Sequence, residues 1–361
     1  MLGPVTFFPN SPSPIQPYAI APWAEETLPE DTSRMIAALR GDWFCSAFGE
    51  NVDAYAGQHL PAHGETANGS WREIDRLETR AGSWLKLAVD LPLQGGYVES
   101  TTALVEDHSV VYQRHDLANL TGPCNPGHHA TLAFPHRAGA GNLSFSRFVH
   151  ARTYIEPLER SANRGSSWLM PDVEITDLGA VPGFDGSTAD LCRYPARTGF
   201  EDIAILCADP KLELAWSSVT FAHEGYAWFA LRDPKQLAST LLWFSNGGRL
   251  FPPWNGRHFN VMGIEDITAF FHVGIAASCA ENALSRRGIR TCVDATGDGR
   301  LSIAYIQGVA RVPVGFDRVA SIERGTHGNH VCLIAESGVS VDIPCHVDFL
   351  RDAPLPGLDS L

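Results

Sequence analysis

Three short segments of the sequence place histidine beside turn residues, and one of them also carries a carboxylate inside an apolar run. The segments are His63-Gly-Glu, Asn125-Pro-Gly-His-His and Trp254-Asn-Gly-Arg-His-Phe-Asn-Val-Met-Gly-Ile-Glu. Histidine titrates near neutral pH, and a glutamate that follows Val-Met-Gly-Ile is expected to be buried, which raises the pKa of a carboxyl group. A histidine and a glutamate of this kind can exchange protons with a substrate without a cofactor.

Other interpretations of the same residues are structural. Glu265 could accept hydrogen bonds from Arg257 or from turn amides, because a buried carboxylate needs partners whether or not it is functional. A single histidine is often a surface or core residue. The neighbouring pair His128 and His129 also leaves open which of the two imidazoles points toward a site, since successive side chains of a strand face opposite ways.

Several motifs that would indicate other chemistry do not occur in the sequence. No G-x-G-x-x-G follows a strand pattern, and neither a P-loop nor a G-x-S-x-G elbow is present. The eight cysteines occur singly without a C-x-x-C spacing, so we expect reduced thiols, mostly buried, and not a zinc site. The segment 294–299, Asp-Ala-Thr-Gly-Asp-Gly, is interpreted as a hairpin turn because the later glutamate of a calcium loop is missing.

The composition argues against nucleic-acid and membrane-surface binding. The 361 residues carry 27 Lys and Arg against 41 Asp and Glu, which gives a net charge of −14. Proteins that bind phosphate backbones or anionic lipids concentrate basic charge instead. No apolar stretch reaches the ~20 residues of a membrane span, and the proline-broken N-terminus lacks the basic start of a signal peptide. We therefore expect a cytoplasmic protein.

The pattern along the chain predicts a mainly β fold with many turns. Short runs alternate apolar and polar residues between Gly, Pro, Asn and Asp clusters, which is typical of antiparallel strands. The predicted strands include residues 71–78, 84–91, 97–105, 109–115, 204–207, 213–221, 226–231, 241–244, 302–307 and 331–335. Helices are predicted over 31–39, 233–241 and 270–287, the last ending at Gly288. Residues 1–30, rich in proline, are predicted to form an extended arm, and 31–361 a single domain.

Taken in order, the functional segments resemble those of the aldose 1-epimerase family, the galactose mutarotase-like proteins. The resemblance rests on His63-Gly with Trp71, His129-Ala-Thr-Leu, Leu242-Trp-Phe-Ser-Asn-Gly-Gly, Trp254-Asn-Gly-Arg-His and Met262-Gly-Ile-Glu-Asp. It covers roughly residues 40–350 and is greatest for a less-characterised branch of the family. It implies a β-supersandwich, two large antiparallel sheets packed face to face, with one or two short helices and a sugar bound on one sheet.

The resemblance also implies roles for individual residues. Glu265 matches the general base, His129 the general acid and His63 a histidine that holds the sugar near C1 and the ring oxygen. Trp71, Arg72, His128, Trp254 and Arg257 are expected to line the substrate site. Mutarotation needs one proton taken from the C1 hydroxyl and one given to the ring oxygen, so no metal and no cofactor is expected.

Two other functions remain open on the sequence. A carbohydrate-binding protein without catalysis is compatible with the same fold, since fold does not settle function. An epimerase acting on a hexose phosphate would need clustered arginines, for which Arg72, Arg76, Arg257, Arg286 and Arg287 are candidates. The expected partner is a small-molecule sugar, with no nucleic acid or membrane partner and a homodimer as one option.

Overall fold

A computed structural model describes residue 3 and residues 5–295, 300–325 and 329–358. Most of the predicted turn at 294–299 lies outside these residues. The described chain contains short helices and many strands. The helices are α1 (Arg34–Ala38), α2 (Gly64–Asn68) and α3 (Ile275–Cys279), and single 3₁₀ turns cover Ser161–Asn163, Ser285–Arg287 and Val347–Arg351. None of these helices is long and apolar enough to cross a membrane.

The strands are joined mostly by short connections, with longer ones between β8 and β9 and between β16 and β17. They are β1 (Phe44–Cys45), β2 (Arg72–Thr79), β3 (Gly82–Asp90), β4 (Tyr97–Val105), β5 (Val110–Ala118), β6 (Gly127–Ala133), β7 (Gly141–Phe145), β8 (Phe148–Thr153), β9 (Val181–Pro182), β10 (Thr188–Ala189), β11 (Arg193–Tyr194), β12 (Phe200–Ala208), β13 (Ala215–Phe221), β14 (Tyr226–Arg232), β15 (Ser239–Asn246), β16 (Val261–Ile267), β17 (Arg300–Arg311), β18 (Val319–Arg324), β19 (His330–Ala335) and β20 (Ser340–Pro344).

Two large antiparallel sheets form the body. One has six strands in the order β1-β6-β16-β15-β12-β8, and the other has nine in the order β11-β7-β13-β14-β17-β5-β4-β3-β2. A three-stranded sheet, β18-β19-β20, and the pair β9-β10 complete the described strands. The two large sheets share one apolar core, to which β6 and β16 contribute Leu132 and Ile264 and the nine-stranded sheet contributes Trp228 and Ile303. The expected sandwich of antiparallel sheets is confirmed.

The outer face of the six-stranded sheet, turned away from the nine-stranded sheet, is also covered. Leu241 and Trp243 of β15 pack there with Trp23 of the N-terminal segment and with Met35 and Leu39 around α1. The N-terminal segment runs beside β6, since the Ala19 amide donates to the Thr131 carbonyl at 2.9 Å. The sheet is therefore buried on both sides in this region, and polar side chains on its outer face are taken out of water.

Two of the predicted helices are wrong in extent or type. Residues 233–241 form a turn followed by β15, because the fully buried run from Ser239 pairs with both β12 and β16. The helix predicted over 270–287 shrinks to α3 and a 3₁₀ turn. Asn282 is the reason: its side-chain amide donates to two carbonyls while its Oδ1 accepts from the amides of Leu284 and Ser285. Such bonds compete with helical ones.

The short first helix agrees better with the prediction for 31–39. It spans Arg34–Ala38, and its cap is Ser33, whose Oγ accepts from the Ile36 amide at 3.3 Å. The sequence favoured Asp31 or Thr32 as the cap, one or two residues too early. The predicted shared face of Met35, Ile36 and Leu39 is present, and it covers a cavity on the outer face of the six-stranded sheet.

Candidate functional site

His129 and Glu265 lie directly opposite each other on β6 and β16. The His129 Nε2 atom is 3.1 Å from Oε1 of Glu265, and its Nδ1 atom is 3.3 Å from the Thr131 hydroxyl. Both side chains are nearly buried, with 4% of His129 and 2% of Glu265 exposed. Non-neighbouring segments of the chain are thus brought together by strand pairing into one histidine–carboxylate pair.

Strand alternation places His128 on the opposite face of the sheet. Its Nδ1 atom is 2.9 Å from Oδ2 of Asp42, and its ring stacks on Tyr305 of the nine-stranded sheet with centroids 4.1 Å apart. Of the two neighbouring histidines, His129 is therefore the one whose imidazole points toward Glu265. His128 lies on the other side of the sheet from the His129–Glu265 pair, because its side chain fills the space between the two sheets.

His63 approaches the pair from the start of α2. Its backbone is left-handed, with φ of 58°, and its ring lies 5.2 Å from that of His129 in an edge-to-face arrangement. The Nδ1 atom of His63 is 3.6 Å from the Cys45 sulfur. The fold thus brings His63, His129 and Glu265 together, and the roles expected for them from the sequence stay predictions.

These three side chains line a cavity of about 150 Å³. Its other described walls are Ser33, Met35, Ile36, Leu39, Glu50, Ala62, Ile203, Trp243, Arg249, Trp254 and His272. The volume lies below the roughly 300–1,000 Å³ of most ligand pockets. One side is formed by the apolar face of α1, so the cavity is lined by acid–base groups on the sheet and by aliphatic groups on its cover.

Two further charged groups at the cavity were not found from the sequence. Arg249 lies over the Trp254 ring, 4.6 Å from its centroid, and its Nε atom is 2.5 Å from Oε1 of Glu159. Glu50 Oε1 is 3.3 Å from Nε2 of His272. Arg249 follows a Gly-Gly turn and His272 follows two phenylalanines, so neither stood out by spacing.

Of the expected substrate-lining residues, only Trp254 lies at this cavity. The Trp71 Nε1 atom donates to the Thr66 carbonyl at 3.0 Å, and the ring lines a different groove. Arg72 is exposed on an edge strand, 3.7 Å from Asp90. Arg257 lies over Trp23 and pairs with Glu26. Trp71, Arg72 and Arg257 therefore lie outside this cavity, because sequence distance from His63 and Trp254 does not fix which way those strands and turns face.

Burial controls the ionisation of the central groups. Desolvation raises the pKa of Glu265 well above its ordinary range and lowers the pKa of His129 well below its ordinary range. Desolvation also lowers the pKa of His63 to about 3. Burial therefore favours the neutral forms of all three groups, and His129 and Glu265 lie within hydrogen-bond distance of each other.

A second buried carboxyl group supports the floor of the cavity. Glu201 of β12 accepts from Trp243 Nε1 at 3.0 Å, from the Ser245 hydroxyl at 3.1 Å and from the Gly248 amide at 3.2 Å. Burial raises the pKa of Glu201 to about 7, with Arg249 and these donors acting against the rise. The bond to Glu201 fixes the indole of Trp243, which is one wall of the cavity, and the other two donors hold the Glu201 carboxyl group in place.

Within the described residues, no group of three or more His, Cys, Asp or Glu side chains is arranged to hold a metal ion. All eight cysteines are free, and four of them are buried. The predicted metal-free chemistry of the site remains a prediction.

Comparison with solved structures identifies the fold. A candidate aldose 1-epimerase from Klebsiella pneumoniae is 12% identical, with a TM-score of 0.53 over 79% of this chain and 66% of that one. A protein from Synechocystis is 11% identical, with a TM-score of 0.52 over 82% and 85% of the two chains. A candidate mutarotase, YeaD, from Salmonella typhimurium is 11% identical, with a TM-score of 0.51 over 82% and 80%.

No family model and no curated protein matches the sequence. At these identities the structural matches show the fold, and the chain has the galactose mutarotase-like fold.

Proposed function

We propose that the chain is an aldose 1-epimerase-like enzyme that interconverts the anomers of a sugar by acid–base ring opening. The observation that carries the proposal is the cross-strand pair of His129 and Glu265, buried at 3.1 Å in a cavity on a fold shared with candidate mutarotases. A cytoplasmic location and a homodimer, both expected from the sequence, stay predictions.

The first step in this mechanism prepares the pair. Burial keeps the shared proton on Glu265 at rest, since both groups favour their neutral forms. Transfer of that proton across the 3.1 Å contact gives an ionised Glu265 and a protonated His129. The sugar hydroxyls that enter the cavity replace lost solvation and make this charged form accessible.

The second step opens the ring. Glu265 takes the proton of the C1 hydroxyl, the C1–ring oxygen bond breaks as the C1 carbonyl forms, and His129 gives its proton to the ring oxygen. Rotation about C1–C2 exposes the other face of the carbonyl. Reversal of the same transfers closes the ring as the opposite anomer and returns both protons, so the reaction consumes no cofactor.

The remaining cavity residues suit a positioning role. His63 is neutral, with a pKa of about 3, and can donate or accept one hydrogen bond near His129. The Trp243 and Trp254 rings offer apolar faces to sugar C–H groups. Arg249 and the Glu50–His272 pair supply donors and an acceptor for the other hydroxyls.

A hexose phosphate is a poor fit to this cavity. Among the described residues that line it, Arg249 is the single arginine, and Glu159 already neutralises it at 2.5 Å. A phosphate dianion is usually gripped by several unpaired cations. The other arginines considered from the sequence lie elsewhere, so the proposed substrate is a neutral aldose.

The test is anomer exchange followed by polarimetry and by exchange NMR on a panel of free hexoses, free pentoses and hexose 6-phosphates. We expect faster exchange with at least one free aldose and a loss of at least ~100-fold in Glu265→Gln and His129→Asn. Glu106→Gln, at an exposed position, is the matched control and should retain full activity. Equal rates for Glu265→Gln and the unaltered protein would overturn the mechanism.

A non-catalytic sugar-binding protein is the second candidate. It is favoured by the near-complete burial of His129 and Glu265, 4% and 2% exposed, because groups buried to this extent can shape a site without exchanging protons with the sugar. Saturable binding of a sugar, seen by calorimetry without any acceleration of exchange, would support this candidate over the enzyme.

A further inference from the structure

A much larger groove lies on the side of α1 that faces away from the His129 cavity. This groove has a volume of about 1060 Å³, against about 150 Å³ for the cavity at His129. Its floor is one face of the nine-stranded sheet, with Ser100 and Thr102 of β4 and Gln113 and His115 of β5. Its walls include Trp71, Trp43 and the polar side of α1 with Arg34, and Gly3 of the N-terminal segment also lines it.

The inner end of the groove holds buried polar groups with bonding capacity left over. Asp42 is fully buried, and one of its oxygens, Oδ1, has no hydrogen-bond partner among the described residues. His115 is 3% exposed; its Nε2 atom is 3.0 Å from the Ser100 hydroxyl, whereas Nδ1 has no partner in the same part of the chain. Buried polar atoms are normally satisfied, so each of these two atoms has the capacity for one further hydrogen bond to a group that reaches it.

The charge of these groups restricts what can bind there. Burial alone would raise the pKa of Asp42, but the His128 ion pair and the Gln113 and Gln307 amides hold it below its ordinary value. Burial lowers the pKa of His115 well below its ordinary range, so its ring is neutral. A carboxylate oxygen of Asp42 and the unpartnered Nδ1 atom of His115, both at the lining of the groove, suit hydroxyl groups, which can donate and accept.

The rest of the groove alternates apolar and polar surface. Leu85 and Leu87 of β3 lie on the same face as Thr102, and the Trp71 ring stands at one wall. Carbohydrates present both hydroxyl edges and apolar C–H faces, and aromatic or aliphatic surface beside hydroxyl partners suits both. The groove volume of about 1060 Å³ suits a chain of several sugar rings better than a single one.

Other classes of ligand fit less well. Most of the floor is the face of β3, β4 and β5, and the groove reaches the sheet edge only at β2, so an extended peptide that added a strand there would leave most of the groove unused. A polyanion is disfavoured by the net charge of −14, and the Arg76 guanidinium at the groove pairs with Glu73 at 3.3 Å.

We propose that this groove is a second carbohydrate site, which binds a neutral oligosaccharide with hydroxyls of one sugar ring at Asp42 and His115. The site is separate from the His129 cavity and does not depend on turnover there.

The test is isothermal titration calorimetry of the full chain with maltohexaose, cellohexaose, xylohexaose and mannohexaose, each alone. Thr102→Trp fills the groove from a half-buried floor position and should weaken binding at least tenfold. Thr188→Trp, an exposed strand position in the distant β9–β10 pair, is the matched control and should leave binding unchanged. Asp42→Asn removes the ionised oxygen and should also weaken binding, with thermal melting as a check on folding.

Two comparisons separate this proposal from the proposed enzyme. Glu265→Gln should bind the oligosaccharide normally, and Thr102→Trp should keep the anomer exchange of free aldoses. The proposal is overturned if none of the four oligosaccharides binds at millimolar concentration, or if binding survives in Thr102→Trp. It is equally overturned if binding is lost in Glu265→Gln alone, because the ligand would then occupy the His129 cavity.

Discussion

The indole of Trp43 stacks on the imidazole of His129, with centroids 4.0 Å apart and planes 19° apart. The stack holds the ring of His129 in the orientation that directs Nε2 toward Glu265. Trp43 is 3% exposed, and the backbone of the same residue accepts from the His129 amide at 3.0 Å. A single residue thus fixes both the backbone and the ring of the proposed acid.

Trp43→Phe is expected to retain most of the exchange activity, because a phenyl ring preserves the stacked surface. Trp43→Ala should lose most of the activity and cost about 3–5 kcal/mol of unfolding free energy. Anomer exchange and urea unfolding, measured on both variants, check the two effects. If Trp43→Phe were as inactive as Trp43→Ala, the stacked geometry would not be what matters.

Glu265→Gln is expected to leave the free energy of unfolding within about 1 kcal/mol of the unaltered protein while activity is lost. The reason is that burial keeps the resting carboxyl group protonated, and an amide resembles the protonated form in shape and charge. Urea unfolding at neutral pH is the measurement, with Glu106→Gln as the control. A large loss of stability would show instead that an ionised Glu265 has a structural role.

The stability of the protein should fall steeply as the pH drops below about 4. Burial lowers the pKa of both His63 and His258 to about 3. The unfolded chain binds a proton at each of these residues near pH 6.5, whereas the folded chain stays neutral there until about pH 3. Each histidine therefore contributes stability that is present above pH 6.5 and is lost as the pH falls toward 3.

Buried carboxyl groups with a raised pKa have the opposite effect on the stability of the protein, at higher pH. Burial raises the pKa of Glu201 and of Asp202 to about 7, so the stability they contribute is present at low pH and is lost as the pH rises toward 7. Between about pH 4.5 and 6.5 the two effects offset each other. Below that window Glu201 and Asp202 no longer offset the loss, and the slope comes from the buried histidines and from carboxylates with a lowered pKa such as Glu50, each contributing up to about 1.4 kcal/mol per pH unit.

Urea unfolding at several pH values between about 3 and 5 checks this dependence. His258→Asn should reduce the slope by about one proton, and His223→Asn, at a surface histidine, should not change it. An unaltered slope in His258→Asn would contradict the assignment of His258 as a buried neutral group.

Ile36→Ala is expected to raise kcat/KM for hexoses several-fold. Ile36 is a half-buried part of the α1 cover, and the cavity below it is small for a sugar. Shortening this side chain enlarges the cavity without removing any acid–base group. Ile20→Ala, which shortens an exposed isoleucine of the N-terminal segment, is the control. A fall in kcat/KM would mean that Ile36 contacts the substrate directly.

The sequence predicted the strands well because alternation of apolar and polar residues depends only on local spacing. It also brought together His63, His129 and Glu265 through a resemblance in segment order. It did not decide between His128 and His129, because that choice depends on the register of β6 against β16, which pairs His129 with Glu265 and His128 with Asp266. The residues around one strand do not indicate which distant strand it pairs with, or in which register.

Other parts of the site were beyond local reasoning for similar reasons. Arg249, Glu50 and His272 reach the cavity from irregular segments, where no period relates sequence position to direction. The helix predicted over 270–287 failed because Asn282 binds the backbone with its own side chain. Periodicity describes the faces that a helix would have, but it does not measure competing side-chain bonds.

Trp43 lies between His129 and the large groove, so its position affects both sites. One face of its indole rests on His129, and the residue also lines the large groove. A molecule that shifts this indole from the groove side changes the affinity of the His129–Glu265 pair for its proton. Thermodynamic reciprocity then requires that protonation of the pair change the affinity for that molecule by the same factor. For such a molecule, binding in the groove and proton binding by the His129–Glu265 pair are therefore thermodynamically coupled through Trp43.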